Sequence, residues 1–330
     1  MLPLFRPEVG AYLANLRQSA GMFVHSLHDR LGEPQWLETQ QFDPPDDKRR
    51  SAWLRLVGKD IDSASRDGQF GVDTRQWLLQ GGGDLADWTV FKDKDAPSPD
   101  RLHLGAMLGY GSAASDATAA GNPARARGTT EGWSLGLYGT WYQNDEDPLK
   151  LGSYVDLWGI YGWYRNEVEG DLLAPVKYDS RGLALSAETG YALRMRDDND
   201  WILEPQAQLI YLRSDGDGVT EPNGTRIDGQ AGSGWISRLG VRVHRTWVDE
   251  EGRRTQPYLT VNWWHDQVDN AVAFNTIALR DLYPDNRYEV KLGVDVQRKN
   301  GWTGWGNVGY QWGSQSYRAL SARVGVKYTW

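Results

Sequence analysis

Two hydrophobic periods divide this chain. From Glu8 to Leu31 (EVGAYLANLRQSAGMFVHSLHDRL), apolar residues recur at Val9, Leu13, Leu16, Ala20, Phe23, Leu27 and Leu31. Steps of three and four keep them on one side of a 3.6-residue helix. Pro7 stands just before, where a missing N–H costs nothing, and Gly32 and Pro34 stop it. The spacing predicts one continuous helix, whose other side carries Asn15, Arg17, Gln18, His25, Asp29 and Arg30. At about 1.5 Å per residue it is roughly 36 Å long, enough for the ~30 Å of a bilayer core. Its charges keep it out of lipid, where each costs about 2.5–3.5 kcal/mol. It needs a polar container of membrane height.

From Ser51 the period falls to two. Ser51–Asp60 and Phe70–Gly83 open a series of segments of about ten residues, the pattern of a transmembrane β-barrel. Leu102, Leu104, Ala106, Leu108 and Tyr110 alternate with His103, Gly105, Met107 and Gly109. Trp133, Leu135, Leu137 and Trp141 alternate with Ser134, Gly136, Tyr138 and Thr140, and a segment with Val155, Leu157, Tyr161 and Trp163 follows. Leu183–Leu193 sets apolar residues against Glu188 and Arg194, and Leu203–Tyr211 sets them against Glu204, Gln206 and Gln208. Leu239, Val241 and Val243 oppose Arg238, Arg242 and His244; Leu259, Val261 and Trp263 oppose Thr260 and Asn262. Val290–Val296 opposes Glu289, Lys291, Asp295 and Gln297. Trp302–Trp312 and Leu320–Trp330 complete about twelve strands, an even number as in bacterial barrels. In a membrane the apolar set faces lipid and the polar set faces the lumen; a soluble sandwich reverses this, and alternation alone does not separate the two. The helix and the large polar residues within the strands favour the membrane.

Connections between these segments are expected to be short turns at Asp197–Asp200 and Lys299–Gly301 and long polar loops at Ala113–Thr130 and Ser214–Gly234. Short turns belong to the periplasmic side and long loops to the outside. Counted back from the C-terminus, the first strand then runs outward, and the helix points its N-terminus outward through the lumen. Asp84–Arg101, with Ala96-Pro97-Ser98-Pro99, is long for a periplasmic turn, and its first part reads as an extension of the second strand. Ala271–Leu282 reads as a loop or an extra hairpin. The sequence thus divides into a helix and polar connector, 1–50, and a barrel, 51–330.

Composition strengthens the membrane reading. The 330 residues include 17 Trp and 16 Tyr against 6 Phe, a balance suited to aromatic belts at a membrane interface. No Cys is present, which removes disulfides and thiolate metal sites. A net charge of −8 argues against nucleic acid as a partner. Met1-Leu2-Pro3-Leu4 lacks the basic start and apolar core of a secretion signal, so the expectation is the C-terminal part of a longer protein.

Several stretches carry a family resemblance: RPEVGAYLAN (Arg6–Asn15), LHDRLGE (Leu27–Glu33), Trp53-Leu54-Arg55, GWSLGLYGTWY (Gly132–Tyr142), YVDLW (Tyr154–Trp158), LEPQAQL (Leu203–Leu209) and the terminal VGVKYTW. In this order they resemble the C-terminal translocator barrel of monomeric autotransporters, the type V secretion proteins. The resemblance implies an all-β transmembrane barrel of twelve antiparallel strands in the outer membrane, with the N-terminal α-helix inside its lumen. It implies export of an N-terminal passenger, monomeric barrels, no cofactor, and dealings with outer-membrane lipids, periplasmic chaperones and the barrel assembly machinery. On this reading Glu8, Tyr12, Asn15, Arg17, Phe23, Leu27, Asp29 and Arg30 belong to the pore helix. The lumen set is Ser134, Tyr138, Glu188, Arg194, Glu204, Gln206, Gln208, Arg238, Arg242, Glu289 and Lys291. Val324, Val326, Tyr328 and Trp330 resemble the signal read by the assembly machinery, and equally read as a lipid-facing strand.

Rival chemistry is sparse. His25, His28 and Asp29 lack the further ligands a metal needs, and read as a polar helix face bonded to the lumen. Arg17 and Arg30 are expected to meet lumen carboxylates such as Glu188, Glu204 or Glu289. An outer-membrane protease or lipase needs an Asp/His or Ser/His set near the outer rim; His265-Asp266 and Asp269 are the candidates, and solvated loop residues are the plainer reading. Some relatives cut their own passenger with acidic groups inside the barrel, but no such pair is assignable here. The Asn-Asn junction of another branch is absent from the helix. A general porin is disfavoured because a helix about 10 Å across fills most of a twelve-stranded pore.

Overall fold

The computed structural model describes residues 5–32, 50–92, 98–145, 151–171, 173–196, 200–275, 277–280, 282–298 and 301–330. Two helices, α1 (Glu8–Gly21) and α2 (Leu27–Leu31), precede the strands. In chain order these are β1 (Ser51–Ala64), β2 (Phe70–Trp88), β3 (Arg101–Ala119), β4 (Asn122–Tyr142), β5 (Gly152–Gly170), β6 (Leu173–Arg194), β7 (Trp201–Gly216) and β8 (Val219–Thr220). There follow β9 (Arg226–Arg245), β10 (Trp247–Val248), β11 (Arg254–Asp266), β12 (Asp269–Phe274), β13 (Ile277–Arg280), β14 (Asn286–Gln297), β15 (Trp302–Gly313) and β16 (Arg318–Thr329). Twelve of them form a closed antiparallel barrel: β1 to β7, then β9, β11, β14, β15 and β16. Closure comes from β1 against β16, in register from Ser51↔Thr329 to Asp62↔Arg318. A closed sheet leaves no unpaired edge in lipid, where each unmet N–H or C=O costs several kcal/mol.

Alternation places the side chains as a membrane requires. Leu137, Leu185, Leu209, Val241 and Leu292 point outward and are exposed, while Ser134, Glu188, Gln208, Arg242 and Glu289 on the same strands are buried inward. Outward aromatics gather in two belts. One joins Trp77, Tyr110 and Trp133, then Tyr161 with Trp163 and Tyr211 with Trp235. The other, toward the opposite rim, joins Phe91 with Trp141 and Trp302 with Tyr328 and Trp330. Between the belts the wall is aliphatic.

The wall is uneven in height. Strands β2 to β6 run to 19–22 residues, whereas β14, β15 and β16 have 12 each. The stretch Ala113–Thr130, expected as a long loop, is therefore strand, with Ala120 and Gly121 as the turn between β3 and β4. Gly121 has φ 74°, which suits glycine. Its small residues read as loop because they are not bulky or apolar, yet Ala113, Ser115, Ala117 and Ala119 alternate inward. Ser214–Gly234 is likewise mostly strand, in β7, β8 and β9. β2 continues to Trp88, and 271–280 is a hairpin of β12 and β13 docked on the upper part of β9. The expected turns at 197–200 and 299–301 and the connector from Gln35 fall largely outside the described residues.

The continuous helix is corrected to two. Residues 22–26 break it, and Ser26 caps α2 by accepting a hydrogen bond from the Asp29 N–H at 3.3 Å. Helix periodicity runs through this break because Phe23 and Leu27 remain apolar and inward. What replaces the missing helical bonds comes from the wall. Gln76 Nε2 donates to the Met22 carbonyl at 3.1 Å, Gln208 Nε2 to that of His25 at 2.9 Å, and Arg55 reaches those of Phe23 and Asp29. The Leu27 N–H donates to Glu188 at 3.0 Å. Freed backbone groups must find partners somewhere, and here they find them on four strands, β1, β2, β6 and β7.

Candidate functional site

The site is the helix-filled lumen. α1 lies toward the end of the barrel that carries the β3–β4 and β5–β6 turns, and α2 lies deeper, toward the end where β1 begins and β16 finishes. The segment thus threads the barrel from one rim toward the other. Its upper part fits because the wall is glycine where the helix comes closest. A Cβ at Gly182 would meet the Ser19 carbonyl oxygen at 1.8 Å, and one at Gly128 would meet the Asn15 side chain at 2.6 Å.

Apolar contacts seat the helix and polar contacts fix its register. Tyr12 packs against the rings of Tyr178 and Phe274, with centroids at 5.5 and 5.7 Å. Phe23 and Leu27 are buried among residues of several strands. Asn15 Nδ2 donates to the Glu167 carbonyl at 3.2 Å, and the Ser19 and Ser180 hydroxyls bond at 2.7 Å. Near the mouth Arg6 joins Glu8 at 3.4 Å and Glu221 at 2.8 Å. Arg17 and Arg287 both bind Asp266, the latter at 2.8 Å.

The deeper layer is denser in charge. Arg30, fully buried, pairs with Asp156 at 2.6 Å, donates to Thr140 at 3.0 Å and lies 4.2 Å from the Tyr138 ring centroid. His28 meets Glu204 at 2.8 Å, and Asp29 meets Lys291 at 2.8 Å and Arg323 at 3.7 Å. Glu188 pairs with Arg238 at 2.9 Å and accepts from the Tyr154 hydroxyl at 2.9 Å. Arg242 pairs with Asp295 at 2.9 Å. Gln206 and Gln208 accept from Arg238 at 2.8 and 2.9 Å, and Glu289 accepts from Asn262, Trp264 and Gln311. Bidentate guanidinium–carboxylate geometry makes such pairs directional as well as strong.

The lumen residues named from the sequence all sit at inward positions; Ser134 is buried, and Arg194 lies half-buried near the end of β6. The pairing does not follow expectation. Arg17 and Arg30 bind Asp266 and Asp156, while Glu188, Glu204 and Glu289 serve Arg238, His28 and the Asn262–Trp264 group. Sequence reasoning placed Asp295 on the polar face of its strand but missed Asp156, Arg55 and Gln76. Asp156 and Arg55 lie within the YVDLW and Trp53-Leu54-Arg55 motifs, and all three occupy inward positions of their strands, which is the signal that was there to use. His265 and Asp266, adjacent on β11, point to opposite sides of the wall: His265 bonds Asn286 at 3.1 Å while Asp266 is held inside by two arginines. They make no catalytic set together. Among the described residues no group of three or more His, Cys, Asp or Glu is placed to hold a metal.

Val324, Val326, Tyr328 and Trp330 all face outward on the last strand, and the Tyr328 and Trp330 rings stack at 5.8 Å.

The architecture has close counterparts. A family model described as the autotransporter beta-domain matches residues 52–309. The Escherichia coli K12 protein YdeU, described as uncharacterized, is 36% identical over 99% of this chain and 70% of its own length. The Escherichia coli autotransporter adhesin AIDA-I is 29% identical over 98% of this chain, which spans only 25% of that protein. The crystal structure of the AIDA-I transport unit superposes with a TM-score of 0.80 at 27% identity, covering 98% of this chain and 99% of that one. The β domain of the Bordetella autotransporter BrkA shares the fold, with a TM-score of 0.64 at 23% identity, over 84% of this chain and 98% of its own. This chain belongs to the autotransporter β-domain family, and its barrel is an outer-membrane translocator.

Proposed function

We propose that the barrel, 51–330, anchors and exports a passenger attached upstream, and that residues 1–50 are the passenger's trailing linker, whose segment 5–32 is held in the pore once export is complete. The observation that carries this is the threaded segment 5–32: it runs from the tall, hairpin-bearing rim to the rim where β1 begins, with its break satisfied by Gln76, Arg55 and Gln208. The tall rim is the outer one, so a passenger joined ahead of α1 emerges outside. AIDA-I is named as an adhesin; an adhesive passenger is one candidate cargo for this translocator. The domain's work is mechanical and needs no substrate chemistry. Val324, Val326, Tyr328 and Trp330 present an alternating aromatic terminus to the assembly machinery, chaperones keep the chain unfolded before insertion, outer-membrane lipids surround the aliphatic belt, and one chain makes one pore.

The test is display. A small folded reporter is joined ahead of Met1 behind a secretion signal, and whole cells are treated with an added protease. Reporter cleaved from intact cells, with the barrel still folded in the outer membrane, is the expected result. A folded barrel whose reporter stays protected inside would sink the reading.

A further inference from the structure

Beside the helix break lies a cavity of about 100 Å³, large enough for several water molecules. Its lining is strongly unbalanced: six side chains are cationic and only Asp29 and Glu289 are carboxylates. Even with Asp266, which bridges Arg17 and Arg287, three carboxylates face six cations. Two of the cations have no carboxylate within ion-pair distance among the described residues. Arg55 is bound only by neutral groups: Gln80 at 2.9 Å, the Phe23 and Asp29 carbonyls, and His25 Nδ1 at 3.1 Å. Lys59 points inward between Ser321 of β16 and Gln76 of β2, with no such partner. Arg287 leaves its buried Nε–H without an acceptor. Beside Lys291 the wall is glycine: a side chain at Gly309 on β15 would meet Lys291 Cγ at 3.2 Å.

Uncompensated charge away from bulk water is costly, and a mobile counter-ion is the simplest remedy. We propose that this cavity is a small-anion site for chloride, held by Lys59, Arg55, Arg287 and Arg323, and that it makes any current through the plugged barrel anion-selective. Charged side chains lining a narrow path set the sign of the ion it accepts. The helix break contributes Met22, Val24 and His25 to one wall, so the site exists only in the plugged state. The inference concerns the lumen alone and does not depend on what the barrel exports.

Refolded full-length chain in planar bilayers under a KCl gradient gives the permeability ratio from the reversal potential. The wild type is expected to favour chloride over potassium by about threefold or more, and Lys59→Glu to bring that preference to unity or invert it, as charge-lined pores do. A potassium-selective wild type, or a Lys59→Glu ratio equal to it, overturns the proposal. Should the plugged barrel pass no current, thermal unfolding in detergent decides. Exchanging chloride for gluconate at constant ionic strength should lower the midpoint in wild type and leave Lys59→Gln unmoved. Identical chloride dependence in both, or none in wild type, equally overturns the site.

Discussion

Single residues in this barrel act mainly through pairs that cross from helix to wall. Arg30 is the clearest. Removing it leaves Asp156 buried at the end of a network built for a cation, and breaking one side of a buried pair typically costs about 3–5 kcal/mol. Most of that loss falls on the docking of α2 rather than on the wall, which keeps its backbone ladder. Arg30→Ala should therefore speed amide exchange across Leu27–Leu31 while leaving the exchange of β5 unchanged; protection of α2 equal to wild type would show the pair to be dispensable. Asp100 offers a residue outside the spanning strands. Its carboxylate accepts the Phe91 and Lys92 N–H groups, at 3.0 and 2.8 Å, and the Trp141 indole N–H at 2.7 Å. Burial opposes its ionisation, but these donors outweigh burial and hold the carboxyl below its ordinary range. A lowered native pKa contributes stability that is complete above the unfolded value of about 3.9 and is lost as pH falls through the native one. The Trp141 indole resonance should thus titrate below that unfolded value, and a midpoint at or above it contradicts the arrangement. Of these residues, the sequence exposes the inward address of Asp156 but not its partner: Arg30 and Asp156 meet across 126 positions of chain, and alternation assigns a face, not a neighbour.

At the scale of elements, lipid makes the strands legible. Two-residue alternation survives because each outward position must be apolar and each inward one must suit the lumen, and so the face of Leu137 or Val241 is readable from sequence alone. Leu137 and Val241 are 65% and 42% exposed on the outer wall. An arginine at either site should cost about 2–4 kcal/mol if it lies near the midplane, measured by guanidinium unfolding from liposomes; two silent substitutions would mean the aliphatic belt is not in lipid. Above the membrane this constraint ends, and so does legibility. Ala113–Thr130 faces water outside and the helix inside, its small residues satisfy both, and the result resembles loop. The helix break fails for another reason. Its carbonyls are met by Gln76, Arg55 and Gln208, none of them near it in sequence, so periodicity runs on unbroken where the structure does not. Because these wall donors are specific to the seated segment, removing residues 1–31 leaves an open polar lumen. Conductance should rise several-fold; an unchanged conductance would place the segment outside the pore.

The molecule as a whole depends on one seam. Every other pair of neighbouring wall strands follows one another along the chain, but β1 and β16 are the two ends of the barrel and meet only when the last strand has been made. Twelve backbone pairs from Ser51↔Thr329 to Asp62↔Arg318 close it, and Arg50 and Trp330 add two further N–H···O bonds at 3.1 and 3.0 Å. Trp330 therefore sits where closure is completed, 57% exposed and stacked beside Tyr328 in the lower aromatic belt. Deleting it removes one belt ring and one backbone pair while the register from Ser51↔Thr329 to Asp62↔Arg318 remains intact. Interfacial aromatics are favourable but individually modest, so refolding into detergent, followed by heat-modifiable gel mobility, should proceed nearly as in wild type. Insertion in cells poses a different problem, since an unclosed barrel exposes two sheet edges until the assembly machinery engages the last strand. If that engagement reads the aromatic terminus, the deletion should lower the amount of folded barrel in outer-membrane fractions, with the remainder degraded in the periplasm. Normal outer-membrane amounts with normal refolding would assign Trp330 to the belt alone, whereas failure in both assays would assign it to closure of the seam.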